Sequence, residues 1–165
     1  MKKLLVTGGS GFLGWNLCVS AAGLWETFAT VFRHPATLLP RATLVSLDLT
    51  DSEALHGLFR VVRPDAVIHA AAISNAEHCE ADPDQSHGIN VEVPKKLARL
   101  CAERGIPYLF TSSDLVFDGL NPPYGEDAPH SPVSHYGRQK SLGEKGVLEI
   151  YPDATICRLP VMFGL

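Results

Sequence analysis

Short apolar runs alternate with helix-length segments along the whole 165-residue chain. Six of the runs read as strands: Lys3–Thr7, Thr27–Phe32, Ala42–Leu47, Asp65–Ala70, Pro107–Ser112 and Ala154–Leu159. They are rich in aliphatic, β-branched and aromatic residues, and most stop at glycine, proline or polar positions. Between them, Phe12 to Ala22 has helical length. A capping box at Thr50-Asp51-Ser52-Glu53 precedes Leu55, Leu58, Phe59 and Val62, which recur at helical spacing. A further helix is expected over Val93–Arg104, with Leu97, Leu100 and Cys101 on one face and Gly105 as its stop. Near-continuous apolar strands separated by helices predict an α/β fold with a parallel sheet covered on both faces. Asp118 to Ser134 is long, proline-rich and without period, and loops of that kind usually serve a site.

Composition narrows the class. With 45% hydrophobic and 19% charged residues the chain is one soluble globular domain, long enough to bury about 70% of its unfolded surface. A formal net charge of −4 argues against a nucleic-acid partner, which would favour a basic surface. Apolar stretches break well short of the ~20 residues needed to cross a bilayer, so no membrane partner is expected. The apolar run after Met1-Lys2-Lys3 ends in glycines at Thr7, unlike a secretory signal. Cys18, Cys79, Cys101 and Cys157 are scattered without a CxxC, as in a reduced, cytoplasmic protein. His78, Cys79, Glu80 and His87 lack a zinc-type spacing, and no metal is expected there.

The first strand runs directly into Thr7-Gly8-Gly9-Ser10-Gly11-Phe12-Leu13-Gly14, a Gly-x-x-Gly-x-x-Gly at the start of the first helix. One glycine permits the turn, one lets backbone approach a ligand, and one packs helix on strand. The helix N-terminus then offers free N–H groups and a positive dipole end, which suit a pyrophosphate. This strand–glycine–helix context predicts a dinucleotide site and, with the strand pattern, a Rossmann-like doubly wound sheet in the order 3-2-1-4-5-6. The carboxylate that would bind the adenosine ribose is missing from the end of the second strand, where Val31-Phe32-Arg33-His34 stands. Arg33 there can pair with a 2′-phosphate and favours NADP(H) over NAD(H), the alternative being a solvated strand-end cation.

Tyr136-Gly137-Arg138-Gln139-Lys140 supplies the chemistry. A Tyr and a Lys at i and i+4 share a helix face. A phenol with a pKa of about 10 works as a proton shuttle near neutrality if it is lowered by up to about three units, roughly 4 kcal/mol of phenolate stabilisation. A neighbouring ammonium and an oxidised nicotinamide could supply that together. Upstream, Thr111-Ser112-Ser113-Asp114 places hydroxyls at the carboxyl end of the fifth strand, where they face the crevice.

Thr-Gly-x-x-Gly-x-x-Gly resembles the short-chain dehydrogenase/reductase superfamily, in its extended, sugar-nucleotide-modifying branch. Ser112-Ser113-Asp114-Leu115-Val116-Phe117-Asp118-Gly119 followed by Tyr136-Gly-Arg-Gln-Lys140-Ser-Leu-Gly143-Glu144 is similar to the dTDP-4-dehydrorhamnose reductase family. That resemblance runs from Thr7 to Gly164. It implies an NADP(H)-dependent reduction of a 4-keto-deoxysugar nucleotide, with Tyr136 as proton donor. Lys140 lowers the Tyr136 pKa and binds the nicotinamide ribose, and Ser113 orients the carbonyl. It also implies cofactor contacts at Gly8, Ser10, Gly11, Phe12, Leu13, Gly14, Arg33, Asp48, Leu49, Ala70, Ala71, Ala72, Asn90, Tyr136, Lys140 and Pro160. Asp48 reads equally as an adenine contact or a helix cap, and Asn90 as an active-site support or a helix-packing residue. His69 is expected as a satisfied core histidine. Family members continue into a smaller lobe that holds the nucleotide sugar, and that lobe is absent from these residues, which are expected to form one dinucleotide-binding domain, 1–165. Two alternatives stand beside this reading: a nucleotide-sugar epimerase or dehydratase holding NAD, and a non-catalytic cofactor-binding subunit. A homodimer is an allowed assembly.

Overall fold

The computed structural model describes residues 1–32 and 41–164. β1 (Lys3–Thr7) leads through α1 (Phe12–Ala21) to β2 (Glu26–Val31) and β3 (Ala42–Ser46), and α2 (Ser52–Val62) then leads to β4 (Ala66–His69). Two short helices, α3 (Ala76–Ala81) and α4 (Pro83–His87), pass through a π-helical turn at Gly88–Glu92 into α5 (Val93–Ala102). β5 (Tyr108–Ser113), a 3-10 turn at Asp114–Val116, α6 (His135–Ile150) and β6 (Thr155–Leu159) follow.

The strands form one parallel sheet in the order β3-β2-β1-β4-β5-β6, as the strand pattern and glycine loop predict. Chain connections leave β1 in one direction and β4 in the other, so a crevice opens between the carboxyl ends of these two strands. Alternation along β1 assigns the faces. Leu5 joins a large core with Leu55, Phe59, Val67, Leu97, Tyr108, Phe110 and Val147, so α2, α5 and α6 cover one face. Leu4 and Val6 turn the other way, to Cys18 and Ala21 of α1.

Local signals explain where elements start and stop, with two adjustments. Asp51, not Thr50, caps α2: its carboxylate accepts from the backbone N–H of Glu53 and Ala54. The cap position must be the last extended residue before the helix, and Asp51 holds it. α5 ends at Ala102, two residues before the expected Arg104, with Gly105 in the left-handed region closing the turn. No helix among the described residues is long and apolar enough to cross a membrane. The segment between Asp118 and Ser134 is irregular, as expected, but it is anchored. Phe117 stacks on Tyr124, the Tyr124 hydroxyl donates to Asp118, and Arg158 of β6 reaches the Glu126 carbonyl.

Candidate functional site

The glycine loop brings three strand ends together. Gly8 has φ +77°, and a Cβ there would stand 2.8 Å from the backbone of Ala71. A Cβ on Gly14 would overlap the Gly8 carbonyl oxygen. Only glycine lets the β1 turn lie against the β4 end and lets α1 pack on that turn. Thr7 reinforces the contact: its hydroxyl accepts from the Ala71 N–H (3.3 Å) and bonds His69 Nδ1 (2.6 Å). His69 is only half satisfied, because Nε2 is buried without a partner among the described residues. Burial, helped by the nearby Lys140 charge, pushes His69 down to about 3 and keeps it neutral.

A cleft of about 460 Å³ opens over this loop. Of the residues expected from sequence, Gly8, Ser10, Gly11, Asp48, Leu49 and Ala70–Ala72 line it. Gly14 lies buried beneath the loop, while Phe12, Leu13, Asn90, Tyr136, Lys140 and Pro160 lie outside the lining. Arg33 falls outside the described residues. Thr30, Val31, Phe32, Ile73, His78 and Gln85 also line the cleft and were missed. Thr30 to Phe32 could have been found as the carboxyl end of the strand beside the switch point. His78 and Gln85, bonded to each other at 2.9 Å, come from α3 and α4, whose short turns carry little periodicity. α2, α3, α4 and α6 each start with a side-chain cap, whereas Gly11 at the start of α1 makes none and the first turn holds no acid. Among the described residues, therefore, no side chain caps the α1 amides where they and the helix dipole face the cleft. Asp48 does not cap a helix: its carboxylate accepts from both the N–H and the hydroxyl of Thr50.

The second cluster gathers on α6 and the end of β5. Ser134 caps α6 by accepting from the Gly137 N–H, and Gly137 sits against the Leu115 carbonyl, where a Cβ would collide. Tyr136 and Lys140 project from this first part of the helix. Lys140 is 2% exposed; its ammonium donates to the Thr111 carbonyl (2.6 Å) and stands 4.1 Å above the Phe110 ring. Burial pushes Lys140 down to about 7, against the opposing pull of Glu144. Burial likewise pushes Tyr136 up to about 12, with Cys79 and Asp114 adding to the effect. The expected acidification of Tyr136 by Lys140 is thus not produced by the protein atoms. The lysine spends its hydrogen bond on β5, and its own charge is disfavoured by burial. The Ser113 hydroxyl donates to Asp114 and accepts from the Leu115 N–H, both at 3.2 Å.

Asn90 joins the two clusters. Its amide pairs with both the N–H and the carbonyl of Ile73 on the cleft wall, and donates to Gln139 Oε1 on α6 (2.8 Å). These bonds give Asn90 the helix-packing role. Sequence reading carried Glu144 only as the end of the family motif, with no role; it is 1% exposed and takes a bidentate pair from Arg158. A carboxylate on the buried stripe 140, 143, 144, 147 of α6 was the available signal.

A family model, RmlD substrate binding domain, matches residues 1–165. The chain belongs to that family. Methionine adenosyltransferase 2 subunit beta of Mus musculus is 36% identical to it over 164 residues, covering 99% of this chain and 48% of that protein. A dTDP-4-keto-6-deoxy-D-glucose reductase of Streptomyces niveus is 34% identical over 164 residues, covering 98% and 53%. The dTDP-4-dehydrorhamnose reductase of Bacillus anthracis, solved in complex with NADP, superposes with a TM-score of 0.83 at 25% identity, covering 99% of this chain and 55% of that one. This member of the RmlD substrate binding domain family spans about half the length of these relatives.

Proposed function

We propose that the chain is the coenzyme-binding part of an NAD(P)-dependent oxidoreductase that reduces a keto group on a nucleotide-linked deoxysugar. The cleft carries this reading. Its floor holds the Gly8 backbone, which no side chain could replace, with Gly14 packed beneath it, and no side chain among the described residues caps the α1 amides. Its volume is in the range of small-molecule sites. Those features fit a dinucleotide, with pyrophosphate over Ser10, Gly11 and the first turn of α1, and the adenine side along Asp48 and Leu49. A bound nicotinamide dinucleotide would supply the hydride. NADP(H) is favoured over NAD(H) through Arg33.

Ser113 would turn its hydroxyl from Asp114 to the substrate carbonyl and orient it, and Tyr136 would give the carbonyl oxygen its proton as the carbon is reduced. Burial holds the phenol near 12, so it is protonated at neutral pH but a weak donor, and the lowering toward neutrality that the protein atoms do not supply would have to come from an oxidised nicotinamide bound beside it. Lys140 anchors the nicotinamide ribose from a buried position already fixed by the Thr111 carbonyl. The test is Tyr136→Phe with 4-keto-6-deoxyhexose nucleotides as substrates. Turnover should fall about 10³-fold while the coenzyme dissociation constant stays within about twofold. Retention of more than half the turnover would end the mechanism.

A second reading, a coenzyme-binding subunit without turnover of its own, draws on one observation: the similar mouse protein is itself named as a subunit. Saturable coenzyme binding with no reduction of any keto-sugar nucleotide by the parent protein would select it.

A further inference from the structure

We infer that Gln139 is a positioning residue: a buried amide that sets the helix carrying Tyr136 and Lys140 at a fixed height against the cleft wall. The inference rests on the proposed function for what those two residues do, but not for the tie itself. Gln139 is 5% exposed on α6, between an exposed Arg138 and the buried Lys140. Its Oε1 accepts from Asn90 Nδ2 at 2.8 Å, and its Nε2 donates to Ser86 Oγ at 2.8 Å and the Pro83 carbonyl at 3.3 Å. One side chain thus links α6 to α4 and to the π-helical turn.

Only one arrangement of the two amides satisfies this network. Asn90 Oδ1 accepts from the Ile73 N–H and Nδ2 donates to the Ile73 carbonyl, both at 2.9 Å, so the backbone fixes which end of Asn90 is which. The second Nδ2 hydrogen then faces Gln139, which must present Oε1 to Asn90 and turn Nε2 toward Ser86. Ile73 lines the cleft. The path from cleft wall to α6 is therefore two amides long, buried and without rotational choice, the setting in which hydrogen bonds hold geometry best. Gly143, one turn later, presses α6 onto the Asn90 carbonyl and the Phe110 ring, so removing the tie frees the first turn of the helix more than its middle.

A displacement of about 1 Å at a reacting group can cost on the order of 100-fold in rate. Gln139→Leu keeps most of the volume and leaves Asn90 its two bonds to Ile73 and Ser86 its bond to the Asp82 carbonyl (2.9 Å). In that variant turnover of keto-sugar nucleotide should fall between about 10- and 100-fold with coenzyme affinity within about twofold of the parent. Ser86→Ala should lose less, and the double variant should be no slower than Gln139→Leu alone, because both act on one tie. The same variants are read by amide hydrogen exchange without any coenzyme. Exchange over residues 135–140 should speed up at least tenfold in Gln139→Leu, and this result stands or falls independently of the proposed reaction. Unchanged exchange, parallel loss of coenzyme affinity and turnover, or fully multiplicative effects of the two substitutions would overturn the inference. If Gln139→Leu fails to fold, Ser86→Ala carries the test with the same exchange window, where unchanged exchange again overturns it.

Discussion

At the glycine loop the cleft is shaped by backbone: the β1 turn, the β4 end and α1 approach so closely that Gly8 and Gly14 exclude any side chain, and no side chain among the described residues caps α1. At the α6 end the reverse holds. Ionisable side chains are buried, with Lys140 pushed down to about 7 and Tyr136 up to about 12. A site built from backbone dipoles needs no reorganisation and little desolvation, because its polarity is already part of the helix and turns. A site built from buried ionisable groups works against the stability of the fold, because each charge it keeps has been removed from water.

The sharpest way to break this contrast is Gly14→Ala. The added methyl meets the Gly8 carbonyl, which cannot move without shifting β1 and Ala71, so coenzyme affinity should fall more than about 100-fold and stability by about 3 kcal/mol or more. Denaturant titration and coenzyme titration on the same preparation check both. Lys140→Met acts in the opposite direction on stability. Lys140 lies below its ordinary 10.5 in the fold, so between about 7 and 10.5 the unfolded chain binds more protons, and parent stability rises with pH across that window. The variant should therefore be more stable than the parent by on the order of 3 kcal/mol at pH 6, an advantage that shrinks toward pH 10, while turnover is lost. An advantage independent of pH would mean that burial of the ammonium is not its source. The smallest effect serves as the control. Asp51→Ala removes the α2 cap, one residue beyond the Asp48–Thr50 stretch that lines the cleft, and should cost about 1 kcal/mol in thermal or chemical unfolding with coenzyme affinity within about twofold of the parent.

What could be read from the sequence divides along the same line. Strand order, the helix after each main crossover and the glycine loop follow from local pattern: apolar strands, a capped helix, glycines between strand and helix. Asp48, Leu49 and Ala70–Ala72 came instead from the family resemblance, and the structure places them on the cleft lining. The α6 end was readable only as residue types. Tyr136 and Lys140 sit at helical spacing, yet their charge state depends on how deeply Phe110, Cys79 and Asp114 enclose them, which no spacing records. Gln139, Ser86 and the half-satisfied His69 depend on bonds across 53, 49 or 62 positions in the chain, so nothing local announces them.

The most direct measurement is a fluorescence titration of the purified protein with NADPH and, separately, NADH. A single saturable site with a dissociation constant below about 100 μM for at least one of them, tighter for NADPH, is the expected result. No saturable binding of either coenzyme up to millimolar concentration would contradict the assignment of the glycine-loop cleft as a dinucleotide site.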